Sequence, residues 1–156
     1  MSKRQFEASD EVFHGEIPSR LDARESMIAQ VMGRLTDSGL LLDEYFDRLC
    51  LDEGISNAIV HGNHGDPEKK VKVRAFTRGD HWEVEIWDEG AGFDWRALLE
   101  IIKNGGDPTS PSGRGIALIL GSGAHVEFHD GGRRLLISRD GPGTSATGFP
   151  RTLESG

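Results

Sequence analysis

Residues 53–63 read Glu-Gly-Ile-Ser-Asn-Ala-Ile-Val-His-Gly-Asn, and they end a segment whose pattern predicts a helix from about Leu42 to His61, closed by Gly62. At about 3.6 residues per turn, Glu53 and Asn57 lie one turn apart on the same face. That face also carries apolar residues, namely Leu42, Phe46, Leu49 and Val60. The opposite apolar face holds Leu51, Ile55, Ala58 and Ile59. The pattern therefore predicts a carboxylate and an amide inside an apolar stripe.

A carboxylate in such a stripe needs a cavity, water or a partner, because burying it unpaired costs several kcal/mol. One interpretation is a ligand cavity in which Glu53 is a general base and Asn57 is an oxygen ligand of Mg²⁺. Magnesium accepts an amide oxygen, but most of its other ligands are usually water molecules and substrate phosphates. The other interpretation is that this face turns toward solvent near the end of the helix. The helix alone does not decide between them.

A second patch, Asp88-Glu-Gly-Ala-Gly92, follows a predicted strand. A carboxylate there can accept a hydrogen bond from an exocyclic amine, while Gly90 and Gly92 allow the backbone to approach a flat ring. Adenine offers that amine, whereas the O6 atom of guanine is an acceptor and would be repelled. The alternative is an ordinary turn at the end of a strand, since Asp and Gly dominate turns.

A third patch, Gly113-Arg114-Gly115, is predicted to open a short helix from Arg114 to Leu120. Free backbone N–H groups and the helix dipole favour a phosphate at such a place, although Gly-x-Gly before a helix is common. No Gly-x-x-x-x-Gly-Lys-Ser/Thr string occurs in the chain, so this is not a Walker A loop. His61 and His64 flank a glycine but lack further ligands at zinc spacing.

The remaining pattern predicts an α+β two-layer sandwich with an antiparallel or mixed, mostly antiparallel sheet and helices on one face. The first half of the chain is expected to contain an edge strand Glu11–Ile17, a helix capped by Ser19, the helix 42–61 and a hairpin around Arg78-Gly79-Asp80. The second half is expected to contain a short helix Asp94–Lys103, an irregular segment Asn104–Ser112 and a helix Arg114–Leu120. Two strands that pair around Asp130-Gly131-Gly132 complete the pattern. Residues 1–140 are predicted to form one domain, and 141–156 a loose tail.

The composition of the chain excludes several classes of protein. Its 156 residues carry 18 basic and 26 acidic side chains, a net charge of −8, which argues against nucleic acid or an anionic membrane as main partner. A single cysteine, Cys50, is typical of a reducing compartment. No segment approaches the roughly 20 apolar residues of a membrane span, and the first residues lack a signal sequence. We therefore expect a cytoplasmic protein.

Taken together, the three patches resemble the GHKL ATPase superfamily, whose ATP-binding domain has the Bergerat fold. Glu53 and Asn57 match its N box, and the patches at Asp88 and Gly113 match its two glycine boxes, so the resemblance covers about residues 10 to 140. It implies that ATP and Mg²⁺ bind, with Asn57 holding the metal. The nucleotide-binding residues that it implies are Asn57, His61, Asp88, Gly90, Gly92, Gly113, Arg114 and Gly115.

Within this superfamily the chain is most similar to the anti-sigma factor serine kinases of bacterial partner-switching systems. These carry Glu at the position of Glu53 and a pattern similar to Asn57-Ala-Ile-Val-His61-Gly62. The resemblance implies that Glu53 accepts a proton from a serine of a STAS-type antagonist protein. It also implies binding of a sigma factor and formation of a homodimer.

Two other functions remain open. One is a nucleotide-gated binding protein without kinase activity. Two features favour it: Gly131-Gly132-Arg133 occupies the region where the family often has a Gly-Thr pair, and the segment between Phe93 and Gly113 is short and proline-rich. A simple ATPase, in which Glu53 activates water, is the other.

Overall fold

The structure, a computed structural model, describes residues 10–41, 43–106 and 111–141. Its strands are β1 (Asp10–Pro18), β2 (Lys70–Arg78), β3 (His81–Trp87), β4 (His125–His129) and β5 (Arg134–Asp140). Its helices are α1 (Arg24–Ser38), α2 (Glu44–Asn57), α3 (Trp95–Lys103) and α4 (Pro111–Gly121), and a five-residue π-helical segment, Ala58–Gly62, continues α2. Short 3₁₀ turns precede α1 (Leu21–Ala23) and join β4 to β5 (Asp130–Gly132).

The five strands form one sheet in the order β1-β2-β3-β5-β4, and every neighbouring pair is antiparallel. Apolar residues alternate along the inner strands, so that Val73, Val84 and Ile137 are fully buried. The helices cover this face, to which α1 contributes the buried Ile28 and Leu35. The predicted two-layer α+β sandwich with helices on one face is confirmed, and among the described strands the sheet is purely antiparallel rather than mixed.

Both predicted hairpins are present. Arg78 pairs with His81 across the Gly79-Asp80 turn, and β4 pairs with β5 across the turn at residues 130–132. The edge position of β1 is also as predicted. One row of paired residues crosses the sheet, where Val73 faces Ile86, Ile86 faces Leu135, and Leu135 faces Phe128. Three residues of this row, Ile86, Leu135 and Phe128, line the cavity described below.

Two helix starts differ from the prediction. Ser19 does not cap α1, because its Oγ donates to the Lys69 carbonyl oxygen (2.8 Å) and the helix begins only at Arg24. Helix α4 begins at Pro111, three residues before the predicted Arg114, so part of the segment predicted to be irregular is helical. Helix α3 matches its prediction, with Asp94 as the N-cap.

Several predictions concern residues outside the described part of the chain. They are the position of Leu42 on the second helix, the middle of the segment predicted to be irregular (107–110) and most of the predicted tail (142–156). Within the described part, no helix combines the length and the apolar character needed to cross a membrane.

Candidate functional site

A cavity of about 150 Å³ lies between the end of α2, the residues that follow β3 and the β4–β5 connection. Apolar side chains of Ile86, Phe93, Phe128 and Leu135 line it, and polar side chains of Asn57, His61, His64 and Asp88 also reach it. A cavity of this size accommodates a small planar aromatic group. Its walls are therefore apolar with a few convergent polar groups, as is usual for small-molecule sites.

Asp88 is the acidic side chain of the cavity wall. It follows the last residue of β3, and its Oδ1 accepts a hydrogen bond from the Gly90 N–H (2.8 Å). Burial raises the pKa of the Asp88 carboxyl above its ordinary value, although that hydrogen bond and the positive charges of Arg133 and Lys69 oppose the shift. Asp88 thus presents a partly desolvated acceptor to whatever occupies the cavity.

Gly90 and Gly92 are required by close backbone contacts next to Asp88. A Cβ atom at Gly90 would lie 2.0 Å from the carbonyl oxygen of Gly62. At Gly92, where φ is +83°, a Cβ atom would lie 2.4 Å from the carbonyl oxygen of Gly131. Both glycines therefore shape the cavity by bringing three backbone segments together, and Gly92 also lines it.

Glu53 and Asn57 lie side by side on α2, facing α4. A Cβ atom added to Gly115 would be 2.8 Å from Glu53 Oε1 and 3.4 Å from Asn57 Oδ1. Asn57 lines the cavity, and Glu53 lies one turn away from it along the helix. The structure therefore brings the predicted N-box residues and the second glycine box together.

The predicted apolar stripe around Glu53 is only partly correct. Phe46 and Val60 are both 39% exposed, whereas Leu51 and Ile55 on the other face are fully buried. The stripe is a half-exposed surface because α4 covers only part of it, which explains how it tolerates a carboxylate.

The pKa of Glu53 is raised, first by burial and then by the negative charge of Asp52, while the positive charge of Arg24 lowers it. Arg24 holds Asp52 in an ion pair of 3.1 Å and also donates to Ser56 Oγ. A carboxylate with a raised pKa is a stronger base, so this environment suits proton transfer.

Gly113, Arg114 and Gly115 lie inside the first turns of α4 rather than before it, because the helix begins at Pro111. Gly113 and Gly115 are buried and Arg114 is exposed. None of these three residues lines the cavity, and neither does Gly90. His61 reaches the cavity from the π-helical segment.

Some residues at the site were missed by sequence reasoning. Phe93 and Phe128 form an edge-to-face pair with 5.3 Å between ring centroids, and both line the cavity. Asn63 belongs to the stretch 53–63, but the sequence does not indicate a role for it. In the structure its side chain is fully buried. The signal for Phe93 was its place directly after a glycine-rich turn. For Asn63 the sequence offers no such signal.

The metal-binding capacity of the site is small. Among the described residues, no group of three or more His, Cys, Asp or Glu side chains could hold a metal ion. Asn57 offers one amide oxygen at the cavity, and Mg²⁺ commonly takes only one or two protein ligands when it binds with substrate phosphates. The residues therefore fit Mg²⁺ that arrives with a nucleotide, and do not fit a metal caged by protein ligands alone.

Comparison with known proteins agrees with this geometry. Residues 21–139 match the family described as histidine kinase-like ATPase domain. The anti-sigma F factor of Oceanobacillus iheyensis is 36% identical over 56 residues, which are 33% of this chain and 38% of that protein. The mycobacterial sensor histidine kinase MprB has a similar fold, with a TM-score of 0.53 and 16% identity over 83% of this chain and 98% of the solved one. The chain therefore belongs to the histidine kinase-like ATPase domain family, as its resemblance to the GHKL superfamily predicted.

Proposed function

We propose that this protein is an ATP-dependent serine kinase of the anti-sigma factor type, which phosphorylates a STAS-domain antagonist and sequesters a sigma factor. The similarity to an anti-sigma F factor supports this proposal. The observation that carries it is the meeting of Glu53, Asn57 and Gly115 beside a cavity that holds Asp88. The Glu53 carboxylate, the Asn57 amide oxygen and the first turns of α4 therefore lie beside a pocket whose wall contains the Asp88 carboxylate.

The adenine ring of ATP would occupy the cavity. Asp88 would accept a hydrogen bond from the exocyclic amine, and the rings of Phe93 and Phe128 would supply apolar contact. Guanine would place its O6 acceptor against the same carboxylate, which is unfavourable when Asp88 is ionised. Selectivity for adenine follows from this one contact.

The phosphates would lie toward α4. Gly113, Arg114 and Gly115 lie in the first turns of this helix, where its dipole favours negative charge, and Arg114 adds a positive side chain. His61 reaches the cavity on the side of α2. Asn57 would hold Mg²⁺, whose role when bound is to neutralise charge on the phosphates.

The transfer step would use Glu53. The hydroxyl oxygen of the substrate serine attacks the γ-phosphorus as its bond to the β,γ-bridging oxygen breaks, and Glu53 takes the hydroxyl proton. The products are phosphoserine and ADP, with the proton on the Glu53 carboxyl until solvent removes it. Positioning and electrostatics are expected to supply most of the rate.

The direct test is transfer of radiolabelled phosphate from ATP to a serine of a purified STAS-domain protein. Glu53→Gln removes the base while keeping the shape, so we expect transfer to fall at least about 100-fold with nucleotide binding nearly unchanged. Glu100→Gln, the same change on the exposed face of α3, is the matched control and should keep wild-type transfer. Normal transfer by Glu53→Gln would contradict the assignment of the base.

One observation favours a second candidate, a regulator that binds partners under nucleotide control without transferring phosphate. Among the described residues that line the cavity, none carries a hydroxyl side chain, and Gly132 lies there in the region where relatives often have threonine. In this case ATP and ADP would change the affinity for a partner, and no phosphoserine would form. In either case we expect a homodimer, which sedimentation would test.

A further inference from the structure

Asn63 directly follows the π-helical segment, and its side chain makes three hydrogen bonds. It is 0% exposed. Its Nδ2 donates to Ser19 Oγ (2.8 Å) and to the Lys70 carbonyl oxygen (2.9 Å), and its Oδ1 accepts from the Glu89 N–H (2.7 Å). One amide group therefore joins the connection after β1, the start of β2 and the residues after β3.

The backbone of Asn63 also sets the shape of the segment that precedes it. Its N–H donates to the Ala58 carbonyl oxygen (2.9 Å), five residues earlier, which is the hydrogen bond of a π-helix. This wider turn brings His61 and Gly62 to the cavity wall. The same residue thus fixes one wall through its backbone and another through its side chain.

The segments joined by Asn63 are those that hold Asp88. Glu89, which donates to Asn63, directly follows Asp88, and Gly62 directly precedes Asn63. A Cβ atom at Gly62 would lie 2.4 Å from Asp88 Cγ, so there is no free space between the two segments. A second bond, from the Lys70 N–H to Glu89 Oε1 (2.6 Å), ties the same loop to β2. Movement of the Glu89 backbone would therefore move the carboxylate relative to the cavity.

We infer that Asn63 is a positioning residue that holds the Asp88 carboxylate at the distance and angle required to select adenine over guanine. The inference rests on the proposed nucleotide site. It goes further in naming which hydrogen bond sets the selectivity, the Glu89 N–H to Asn63 Oδ1. A merely structural Asn63 would change stability without changing the preference between nucleotides.

The test uses the full chain and three variants. Asn63→Ala removes all three side-chain bonds. Asn63→Asp keeps an oxygen for the Glu89 N–H but loses both donors. Ser19→Ala removes one partner of Asn63 on the side away from Asp88, and is the matched control. Calorimetric titration with ATP and with GTP gives the selectivity, and amide hydrogen exchange at Glu89 reports whether its hydrogen bond is kept.

We expect Asn63→Ala to lower ATP affinity at least about tenfold, to bring the ATP-to-GTP ratio close to one and to speed exchange at Glu89. Asn63→Asp should keep Glu89 protected and retain most of the selectivity, and Ser19→Ala should stay within about twofold of wild type. Loss of stability with an unchanged ratio in Asn63→Ala would overturn the inference, as would equal loss of the ratio in all three variants.

Two further outcomes are also decisive. If Asn63→Ala does not fold, the ratio of ATP to GTP affinity is measured in Asn63→Asp. A ratio close to that of the wild type supports the inference, and a ratio close to one overturns it. If the wild type binds no ATP, the proposed function fails, and exchange at Glu89 still tests the positioning of the Asp88 loop by Asn63. Unchanged protection of the Glu89 amide in Asn63→Ala would then overturn the positioning role.

Discussion

Two carboxylates of the site share a raised pKa and differ in their surroundings. Burial is the largest cause at both Asp88 and Glu53. Asp88 accepts a hydrogen bond from a backbone N–H inside the cavity wall, whereas Glu53 lies beside a second carboxylate, Asp52. The first environment suits a fixed acceptor for a ligand, and the second suits a group that gains and loses a proton.

Asp88→Asn tests the acceptor role. The amide can keep the hydrogen bond from Gly90 through its oxygen, and would then present its NH₂ group to the ligand. We expect ATP affinity to fall by about 1–3 kcal/mol and the preference for ATP over GTP to shrink or invert, because a donor now faces the adenine amine. Titration calorimetry measures both. Unchanged selectivity would remove Asp88 from the adenine contact.

The pH dependence of phosphate transfer tests Glu53. A base acts only when ionised, so transfer should fall as the pH drops through the pKa of Glu53, which lies above its ordinary value. Asp52→Asn removes a negative charge, lowers that pKa and should move the acid limb to lower pH. Arg24→Gln removes a positive charge and should move it to higher pH.

Each of these two variants breaks the same 3.1 Å ion pair between Arg24 and Asp52, and each is therefore the control for the other. A general structural effect would shift both rate profiles in the same direction. Opposite shifts arise only if the two charges act on the titrating base. Parallel shifts would show that the acid limb belongs to another group.

Among single residues, the motifs of the sequence indicated several that line the cavity and missed those whose role depends on packing. Asp88, Asn57, His61 and Gly92 all line it, and their roles in binding a nucleotide stay predictions. Asn63 could not be assigned, because its role depends on Ser19 and Glu89, which the chain brings near only after folding. Asparagine is common in exposed turns, and the residue type alone does not show that this one is buried.

At the scale of elements, the contact of α2 with α4 places the base. Gly115→Ala would put a methyl group 2.8 Å from Glu53 Oε1, so the carboxylate must move. Because that atom ends a flexible side chain, the fold should tolerate the change, and alanine favours a helix by up to about 1 kcal/mol over glycine. We expect transfer to slow at least about tenfold without loss of unfolding free energy.

Gly121→Ala on the same helix is the matched control, because no atom lies within 4 Å of the added Cβ. Both variants would be compared by transfer rate and by urea denaturation. Equal rates for the two variants would mean that the position of Glu53 against α4 is irrelevant to transfer.

A buried ion pair connects the elements at the other end of α2. Arg139 Nε of β5 lies 2.5 Å from Asp47 Oδ1, and Arg139 Nη1 donates to the Ser122 carbonyl oxygen at the end of α4 (2.8 Å). Asp47 is 0% exposed and Arg139 only 5%. The pair therefore holds α4 in the position in which its other end meets Glu53.

Removing one partner of this pair should be more harmful than removing both charges. Arg139→Met removes the positive charge that faces the buried Asp47 carboxylate, which should cost about 3–5 kcal/mol of unfolding free energy. Adding Asp47→Asn should recover part of that loss, as measured by urea denaturation. A double variant as unstable as the single one would show that the buried charge is not the cause.

The start of α4 shows a limit of pattern reading. From the sequence alone, Pro111 and the nearby glycines predict an irregular segment. Yet proline is common at the first position of a helix, because its fixed φ suits a helix and its missing N–H is not needed there. The partial exposure of the α2 stripe agrees with the second interpretation of the sequence, that this face turns toward solvent. The sequence alone could not decide between the two interpretations, since the exposure depends on how much of α2 the helix α4 covers.

At the scale of the molecule, the fold was predictable because two hairpins and alternating strands leave few arrangements for one sheet. The insertion of β5 between β3 and β4 was not predicted, because the pairing of β3 with β5 joins residues about 50 apart in the chain, such as Val84 and Ile137. That pairing completes the cavity floor, where Ile86, Leu135 and Phe128 lie in one row. The site therefore depends on a pairing between strands that are distant in the sequence.

Calorimetric titration of the full chain with ATP in the presence of Mg²⁺ tests whether the cavity at Asp88 binds adenine. We expect saturable binding of one ATP per chain, weaker binding of GTP and weaker binding of ATP when Mg²⁺ is withheld. No binding at millimolar ATP, or equal binding of ATP and GTP, would contradict the claim that the cavity at Asp88 is an adenine site.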